Sequence, residues 1–590
     1  MPYRCSISDS HRNGSKSGIM VEQDMAEENK EEHPNAAKYE AAIRDRFGKS
    51  VERIFALNGN ELHIVLVSKE AIPDLCYYLF QELRARLVTV ICNDERRICG
   101  AFTLRYVFAK EGEEDLFIVP TANIGESNTD KAAGLESALT FPSIALRIPP
   151  AALYEREIKD MFGLLPAGNP DTRPLILHEH WPGGYYPLRK DFSLDTKVGR
   201  VDEKYQFTKV DSEGVFEIPV GPVHAGIIEP GHFRFSVLGE NIINLETRLF
   251  YTHKGTEKLA ESLKLDQVLL LSERISGDES VANSIAYCQA IEKIAGVKTP
   301  EKALQTRTIC AELERVYNHL GTLAGMATDV GYSYGAVRLN ILKERMMQLN
   351  ESVSGSRLLF GVNRIGGVGV ELNDAVSRLI TKTTTLVLQD FKSVISALRS
   401  TGSVIDRFMG TGTITREVAT DMCLVGIAAR CAGVDVDTRR DHPYAAYRSL
   451  RPSVHYDTPI HRTEYQVEMQ KRRGDALSRF DLRVDEVRDS VRIINQVIDN
   501  LRSDDEPLTA DIDGLLRPYD HALGYAESHR GQTVHWVMIG EDCDSLFRYK
   551  VRTASFVNWP AIEQAVLNDI VPDFPLVNKS LDLSYSGNDL

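Results

Sequence analysis

The chain has 590 residues, 43% hydrophobic and 26% charged, a composition ordinary for a globular protein and a length that suits about three or four domains. Its net charge of −15 argues against a sequence-independent grip on nucleic-acid phosphates and offers no basic face to anionic lipid; it reads as a solvated acidic surface. No window approaches the roughly 18 consecutive apolar residues that cross a bilayer, so any membrane link is expected to run through partners. The nine cysteines include no C-x-x-C pair and no zinc spacing, which fits free thiols in a reducing cytosol and excludes a cysteine-bound iron–sulfur cluster of the usual spacing.

Residues 1–35 are rich in Ser, Asn, Lys and Glu and nearly free of large apolar side chains, so they are expected to form a disordered tail, with Met20 and Met25 as alternative starts. Over residues 36–165 the runs Leu62 to Val67, Leu87 to Cys92, Ala101 to Phe108, Asp115 to Val119 and Ser143 to Ile148 read as strands. An apolar-periodic helix from Asp74 to Arg86 separates the first two. This predicts a small α+β domain with most strands in hairpin succession.

Residues 166–214 are crowded with Pro and Gly and carry the cluster His178, Glu179, His180, Trp181, Tyr185, Tyr186, Arg189, Lys190 and Asp191. Their aromatics predict an extended connector bound along a surface rather than a free linker. Residues 215–590 open with strand-like pieces and then turn helical. Phe480, Val484, Val487, Val491, Ile494, Ile498 and Leu501 form one apolar seam, and Leu342, Met346, Leu349 and Val353 a shorter one; both predict helix-bundle core. The glycine-rich run Gly361 to Gly369 follows a helix rather than a strand, so it is not a nucleotide loop.

Two linked motifs are more specific. Glu155-Arg156-Glu157-Ile158-Lys159-Asp160-Met161-Phe162-Gly163 is followed by Asn169-Pro170-Asp171-Thr172-Arg173 and then Pro187-Leu188-Arg189-Lys190-Asp191-Phe192. This pattern resembles the complex I 30 kDa subunit. Further on come Gly221-Pro222-Val223-His224, Glu229-Pro230-Gly231-His232-Phe233-Arg234, His253-Lys254-Gly255-Thr256-Glu257-Lys258, and Ala311-Glu312-Leu313-Glu314-Arg315-Val316-Tyr317-Asn318-His319-Leu320. These resemble the complex I 49 kDa subunit and, more closely, the large subunits of hydrogenase-4 and formate hydrogenlyase. The resemblance implies an α+β chain: a 30 kDa-like domain, then a mainly helical domain with N-terminal β-hairpins.

In the nickel–iron members of that group, two pairs of cysteine thiolates hold the metal, because soft ligands suit low-valent nickel. Matched onto this chain, the first pair falls on Ser276 and Glu279 and the second on Ser584 and Gly587, while the family histidine after the first pair falls on Asn283. The resemblance therefore implies no nickel–iron centre. Complex I uses the vacated space for a quinone headgroup, held by a hairpin histidine and a loop tyrosine; these positions fall near Ile228 and Gly277, so quinone chemistry does not carry over directly.

The remaining candidates are Ser276, Asp278, Glu279 and Ser584, with His224, Glu229 and His232 nearby. Three readings stand side by side: a relay of carboxylates with raised pKa values, a hard-cation site of oxygen ligands, or a degenerate solvated loop. By resemblance, Arg307 and His319 face a tetranuclear (4Fe–4S) cluster held by a neighbouring small subunit; the plainer reading is a helix salt bridge to Glu312 or Glu314. The expected partners are that small subunit and antiporter-like membrane proteins, at the cytoplasmic face of the inner membrane. The expected role is a peripheral-arm subunit of an ion-translocating oxidoreductase, or alternatively a non-catalytic scaffold between small subunit and membrane arm.

Overall fold

Helix α1 (Ala36–Phe47) buries Tyr39 and Ile43 and leads into a sheet of β1 (Val51–Leu57), β2 (Glu61–Leu66), β3 (Arg86–Glu95), β4 (Ala101–Lys110) and β5 (Leu116–Ile124). The computed structural model describes residues 34–112, 115–125, 139–224, 228–450, 474–501 and 506–590, so the expected tail lies almost wholly outside them. The strand order is β1-β2-β5-β4-β3, with β2 and β5 parallel and the other neighbours antiparallel, so hairpin succession holds only in part. The helix expected from Asp74 begins earlier, as α2 (Ile72–Tyr77), and ends in a wider turn over Tyr78–Glu82. Residues 143–148 form turns rather than a strand, directly after the short β6 (Thr140–Pro142). Glu155 draws that backbone away from a ladder by accepting from Ile144 N at 2.8 Å and Ser143 Oγ at 2.5 Å.

Glu155 lies on α3 (Ala151–Phe162), whose buried Glu155, Arg156 and Glu157 are each paired with another segment, Glu157 with Lys550. Arg156 donates to the carbonyls of Arg173 and Pro174, both at 3.0 Å, and Asp160 accepts from the backbone N–H groups of Leu175, Ile176 and Leu177. Asn169 Nδ2 donates to Glu155 at 2.8 Å. The two sequence motifs are thus the two halves of one hydrogen-bonded joint, which satisfies charges that burial alone would make costly. Strand β7 (Leu165–Ala167) pairs with β6, and the connector then runs irregularly along the second region. It is pinned by Arg173 to Glu246 at 2.5 Å, His178 Nε2 to Leu249 O at 2.8 Å and Lys190 to Glu261 at 2.7 Å.

The second region opens with an antiparallel sheet of β8 (Val215–Val220), β9 (His232–Leu238) and β10 (Asn241–Arg248). Helices α4 (Ser280–Ala295), α5 (Glu301–Asp329) and α6 (Ser333–Ser354) follow, then the two-residue strands β11 (Asn363–Arg364) and β12 (Gly367–Val368), then α7 (Asp374–Arg399) and α8 (Ala476–Asp499). Both apolar seams lie in the core: Leu342, Met346 and Leu349 on α6, and Phe480, Val484, Val487, Val491 and Ile494 on α8. A second antiparallel sheet, β13 (His521–Glu527), β14 (Gln532–Ile539) and β15 (Leu546–Arg552), extends the expected architecture. Short helices α9 (Ala554–Asn558), α10 (Pro560–Ala565), α11 (Phe574–Leu581) and α12 (Tyr585–Asp589) close the chain. Among the described residues no helix is long and apolar enough to cross a membrane.

Candidate functional site

Ser276 is extended and feeds a tight turn, Gly277–Glu279, that enters α4. Helix α5 grips this turn. Glu314 accepts from Val281 N at 2.7 Å and Ala282 N at 3.1 Å, placing an acceptor where the start of α4 leaves N–H groups without intrahelical partners. Asn318 Nδ2 and Tyr317 Oη both donate to Asp278 O, at 2.7 and 3.3 Å. Across the cleft, Ser584 caps α12 by accepting from Gly587 N at 2.9 Å, and Trp559 Nε1 donates to Ser584 O at 3.2 Å.

These two segments meet. Ser276 Oγ and Ser584 Oγ are 2.9 Å apart, and Ser276 donates to Asp278 Oδ1 at 2.5 Å. A Cβ on Gly587 would sit 3.0 Å from Ser584 Oγ and 3.4 Å from Glu279 Oε2. Two pairs of positions, with Ser276 and Ser584 separated by 308 residues, therefore converge on one point, although one position offers no donor and the others offer only oxygen.

The centre of the cleft is held by a residue the sequence did not single out. Arg530, in the turn between β13 and β14, lies 2.7 Å from Asp278 Oδ2 and 3.4 Å from Glu279 Oε2, and its Nε donates to Asp582 O. Ser528 Oγ donates to Glu279 Oε1 at 2.6 Å. Glu279 is 2% exposed, yet its Oε2 has no hydrogen-bond partner, because the contact to Arg530 is not aligned as one. The only sequence signal for this turn was a polar Ser-His-Arg-Gly break between two apolar runs.

The carboxylates do not behave alike. Burial pushes Asp278 up, but the Arg530 guanidinium outweighs it and holds this carboxyl well below its usual range, contrary to the expectation of a uniformly raised set. Burial raises Glu279, with Arg530 opposing and the Asp278 charge adding to the rise. Burial lifts Glu314 to about 8 against the pull of its two backbone N–H donors. Glu279 and Glu314 are thus both raised, while Asp278 beside them is held low.

A buried ionic network backs the cleft. Arg315 donates to Ser528 O at 2.9 Å and Glu527 O at 2.7 Å, fixing the Arg530 turn. Arg439 pairs with Glu312 at 3.0 Å and Asp437 at 2.7 Å, and Arg430 with Glu486 at 2.5 Å. Within this network Glu312, Asp437, Glu486 and Glu527 outnumber Arg315, Arg430 and Arg439. Burial and the Asp437 charge lift Glu527 to about 7 against Arg430, Arg315 and Arg439.

The other candidates are distributed around this centre. Glu229 reaches the C-terminal segment, accepting from Ser586 N at 3.0 Å, and His224 lies against Phe233 and Tyr585. His232 faces elsewhere, with Nδ1 3.3 Å from Gly221 O and its ring beside Phe207. Arg307 is bound at both Nη atoms to Glu292, at 2.9 and 2.6 Å, and His319 Nε2 lies 2.6 Å from Glu486. Neither pairs with Glu312 or Glu314, and burial lowers His319 to about 4. The segment leading into the glycine-rich run flanks the cleft, with Leu358 and Phe360 each 3.6 Å from where a Gly277 Cβ would stand.

A nickel–iron centre does not fit this donor set. Two hydroxyls, a carboxylate and a glycine replace thiolates, and a guanidinium already neutralises the carboxylates. Among the described residues no group of three His, Cys, Asp or Glu is placed to hold a metal. The same guanidinium disfavours a hard cation.

The family model described as respiratory-chain NADH dehydrogenase, 30 Kd subunit, matches residues 65–198, and that of the 49 Kd subunit matches residues 329–513. Hydrogenase-4 component G of Escherichia coli (strain K12) is 33% identical over 530 residues, covering 89% of this chain and 87% of that protein. Formate hydrogenlyase subunit 5 of the same organism is 32% identical over 575 residues, covering 96% and 94%. The fused C/D protein of NADH-quinone oxidoreductase from Methylococcus capsulatus (strain ATCC 33009 / NCIMB 11132 / Bath) is 30% identical over 506 residues, covering 78% and 83%. With both modules in one polypeptide and these relatives matched along most of their length, the chain belongs to the family of fused 30 kDa/49 kDa-type oxidoreductase subunits shared by complex I and the hydrogenase-4 and formate hydrogenlyase complexes.

Proposed function

We propose that this chain is a nickel-free peripheral-arm subunit that couples electron arrival at a partner-held iron–sulfur cluster to proton movement through Glu279. The observation that carries the reading is the Oε2 of a buried glutamate that makes no hydrogen bond, although Arg530 lies 3.4 Å away, at the point where the four matched ligand positions meet. A carboxyl there takes up a proton when negative charge arrives nearby and releases it when that charge leaves, because low local polarity makes charge compensation strong. Asp278, kept ionised by Arg530, supplies the fixed charge against which Glu279 titrates. His319 and Glu486, joined to the cleft through Arg315 and the Ser528 turn, carry the coupling toward the iron–sulfur small subunit. Antiporter-like membrane partners on the cytoplasmic side of the inner membrane would receive it. By resemblance, the two positions that hold a quinone headgroup in complex I fall near Ile228 and Gly277, which favours the relay over quinone reduction at this cleft.

The test uses the assembly purified through a tag in mild detergent. It is expected to contain an iron–sulfur small subunit and membrane proteins, to lack stoichiometric nickel, and to turn over with an artificial acceptor. Glu279→Gln should lower turnover by about 10²-fold, the scale of a lost proton-transfer group, and flatten its pH profile. Unchanged turnover in the variant removes the relay. Stoichiometric nickel removes the nickel-free reading, and absence of turnover with every acceptor in the native assembly favours the scaffold.

A further inference from the structure

The joint between the two modules encloses a cavity of about 140 Å³ that the carboxylate cleft does not use. It is bounded by Leu153 of α3, the connector's Tyr205, the end of β10, and Phe556 and Trp559 of the C-terminal segment. An apolar cavity of about 150 Å³ accommodates one benzene ring, so the size and the aromatic walls fit a single six-membered ring. The polar edge is equally specific. Arg248, 3% exposed, donates through Nη1 to Pro174 O and Leu175 O, both at 2.9 Å, and through Nη2 to Glu179 at 3.2 Å. Its guanidinium is thereby locked, stacked 4.3 Å from the Tyr205 ring, while its buried Nε has no hydrogen-bond partner. A buried donor left unsatisfied is costly, so one that lines a cavity marks a place for an acceptor.

The unfilled donor belongs to a guanidinium, whose strongest acceptor is a carboxylate. Arg156, Arg173 and Arg248 line the space with Asp171, Glu246 and Glu563. Asp171 is engaged by Arg156 at 3.0 Å and Arg173 at 2.8 Å, and Glu246 by Arg173. Arg248 is itself paired with Glu179, and burial lifts Glu563 to about 7, so the fixed charges of the lining are close to balanced and the free donor is the feature left to a ligand.

We infer that this inter-module cavity binds a single-ring aromatic carboxylate, the ring stacked among Tyr205, Phe556 and Trp559 and the carboxylate accepting from Arg248 Nε. The inference does not depend on the reaction at the carboxylate cleft. The two sites do share a wall: the Trp559 indole lines the cavity and donates to Ser584 O at 3.2 Å, so the ligand bears on the residue that holds one side of the cleft.

The experiment titrates benzoate into the full chain, reading heat and tryptophan fluorescence, with benzyl alcohol (ring without charge) and acetate (charge without ring) as comparisons. Benzoate should bind saturably with one equivalent per chain, at least about tenfold tighter than either comparison, a difference of roughly 1.4 kcal/mol. Leu153→Phe, which fills the cavity without altering Arg248, should abolish binding. Trp559→Phe should keep the heat signal and lose the fluorescence change. Non-saturating benzoate heats, equal binding of acetate or benzyl alcohol, undiminished binding by Leu153→Phe, or a fluorescence change surviving Trp559→Phe would each overturn the assignment.

Discussion

Glu314 caps a helix and retains a proton, two roles that pull its pKa in opposite directions. Its backbone N–H donors favour the carboxylate, burial and the neighbouring Glu279 and Asp278 disfavour it, and the balance stands at about 8. A carboxyl raised from 4.5 in this way binds more protons in the folded than in the unfolded chain. Its stabilising contribution is full below about 4.5 and is lost as pH rises through about 8. Glu314→Gln removes that titration but leaves one of two backbone N–H groups without an acceptor, at about 1–3 kcal/mol. The variant should be less stable than the native chain at pH 5, with the gap closing by pH 9; urea midpoints at both values measure this, and parallel profiles would refute the raised pKa. At this scale the sequence was informative where chemistry was missing. Ser276, Glu279, Ser584 and Gly587 were picked out because the resemblance sets each of them at a ligand position of the nickel–iron members. Arg530 and Glu314 were not, because an arginine in a turn and a glutamate in a charged helix acquire meaning only from what folds against them.

Among the elements, the amphipathic helices were legible and the C-terminal sheet was not. Helix α8 keeps one apolar seam in the core and places polar residues such as Arg479, Arg483, Glu486 and Ser490 at its other buried positions, so its period survives in the sequence. Strands β13 and β14 are buried at every residue, which erases the alternation that identifies a strand. Helix α3 was hidden for a different reason: its buried positions include Glu155, Arg156 and Glu157, whose partners lie on other segments. The sheet's seating on α4 makes a sharp prediction. Gly524 of β13 lies so close to that helix that an added Cβ would stand 1.8 Å from Ala286 O and 2.8 Å from Ala290 N. Backbone cannot yield as a side-chain tip can, so Gly524→Ala should cost at least the roughly 1–3 kcal/mol of ordinary overpacking. Because α4 begins at the cleft, turnover of the assembly should fall as well. Gly402→Ala, with nothing within 4 Å of its added Cβ, provides the control and should leave the thermal midpoint essentially unchanged. A silent Gly524→Ala would show that β13 does not sit against α4 in this way.

For the whole molecule, the question is whether two ancestral modules remain two bodies or have become one. The edge of the N-terminal sheet is not left open. Strand β3 offers Val88 O and Cys92 O, and these accept from Arg552 and Arg548 of β15, so the later region covers an edge that would otherwise invite pairing with another chain. One face of the same sheet, with Val88, Ile91, Val107, Phe117 and Val119, lies in a single apolar core with Val281, Ile285, Leu313 and Trp536. At its centre Phe117 stacks on His442 at 4.4 Å and meets Tyr525 at 5.1 Å. His442 in turn lies 2.9 Å from Asp115; burial lowers its pKa, but Asp115 and Glu111 overcome this and raise it to about 9, so the joint carries a charged pair at neutrality. Such a shared core should unfold as a unit. Phe117→Ala should cost about 3–5 kcal/mol, the usual range for deleting a buried phenyl ring. The chain's three tryptophans, Trp181, Trp536 and Trp559, all lie beyond the N-terminal domain, and since Trp536 sits against Arg105 of the N-terminal sheet, a Trp536→Phe background leaves a fluorescence that reports the later region. If the modules are one body, a substitution in the N-terminal sheet must lower the denaturation midpoint seen by that fluorescence as much as the midpoint seen by far-ultraviolet circular dichroism. A fluorescence midpoint that stays in place while the dichroism splits into two transitions would mean that the modules unfold independently and that the joint is a docking contact rather than a common core.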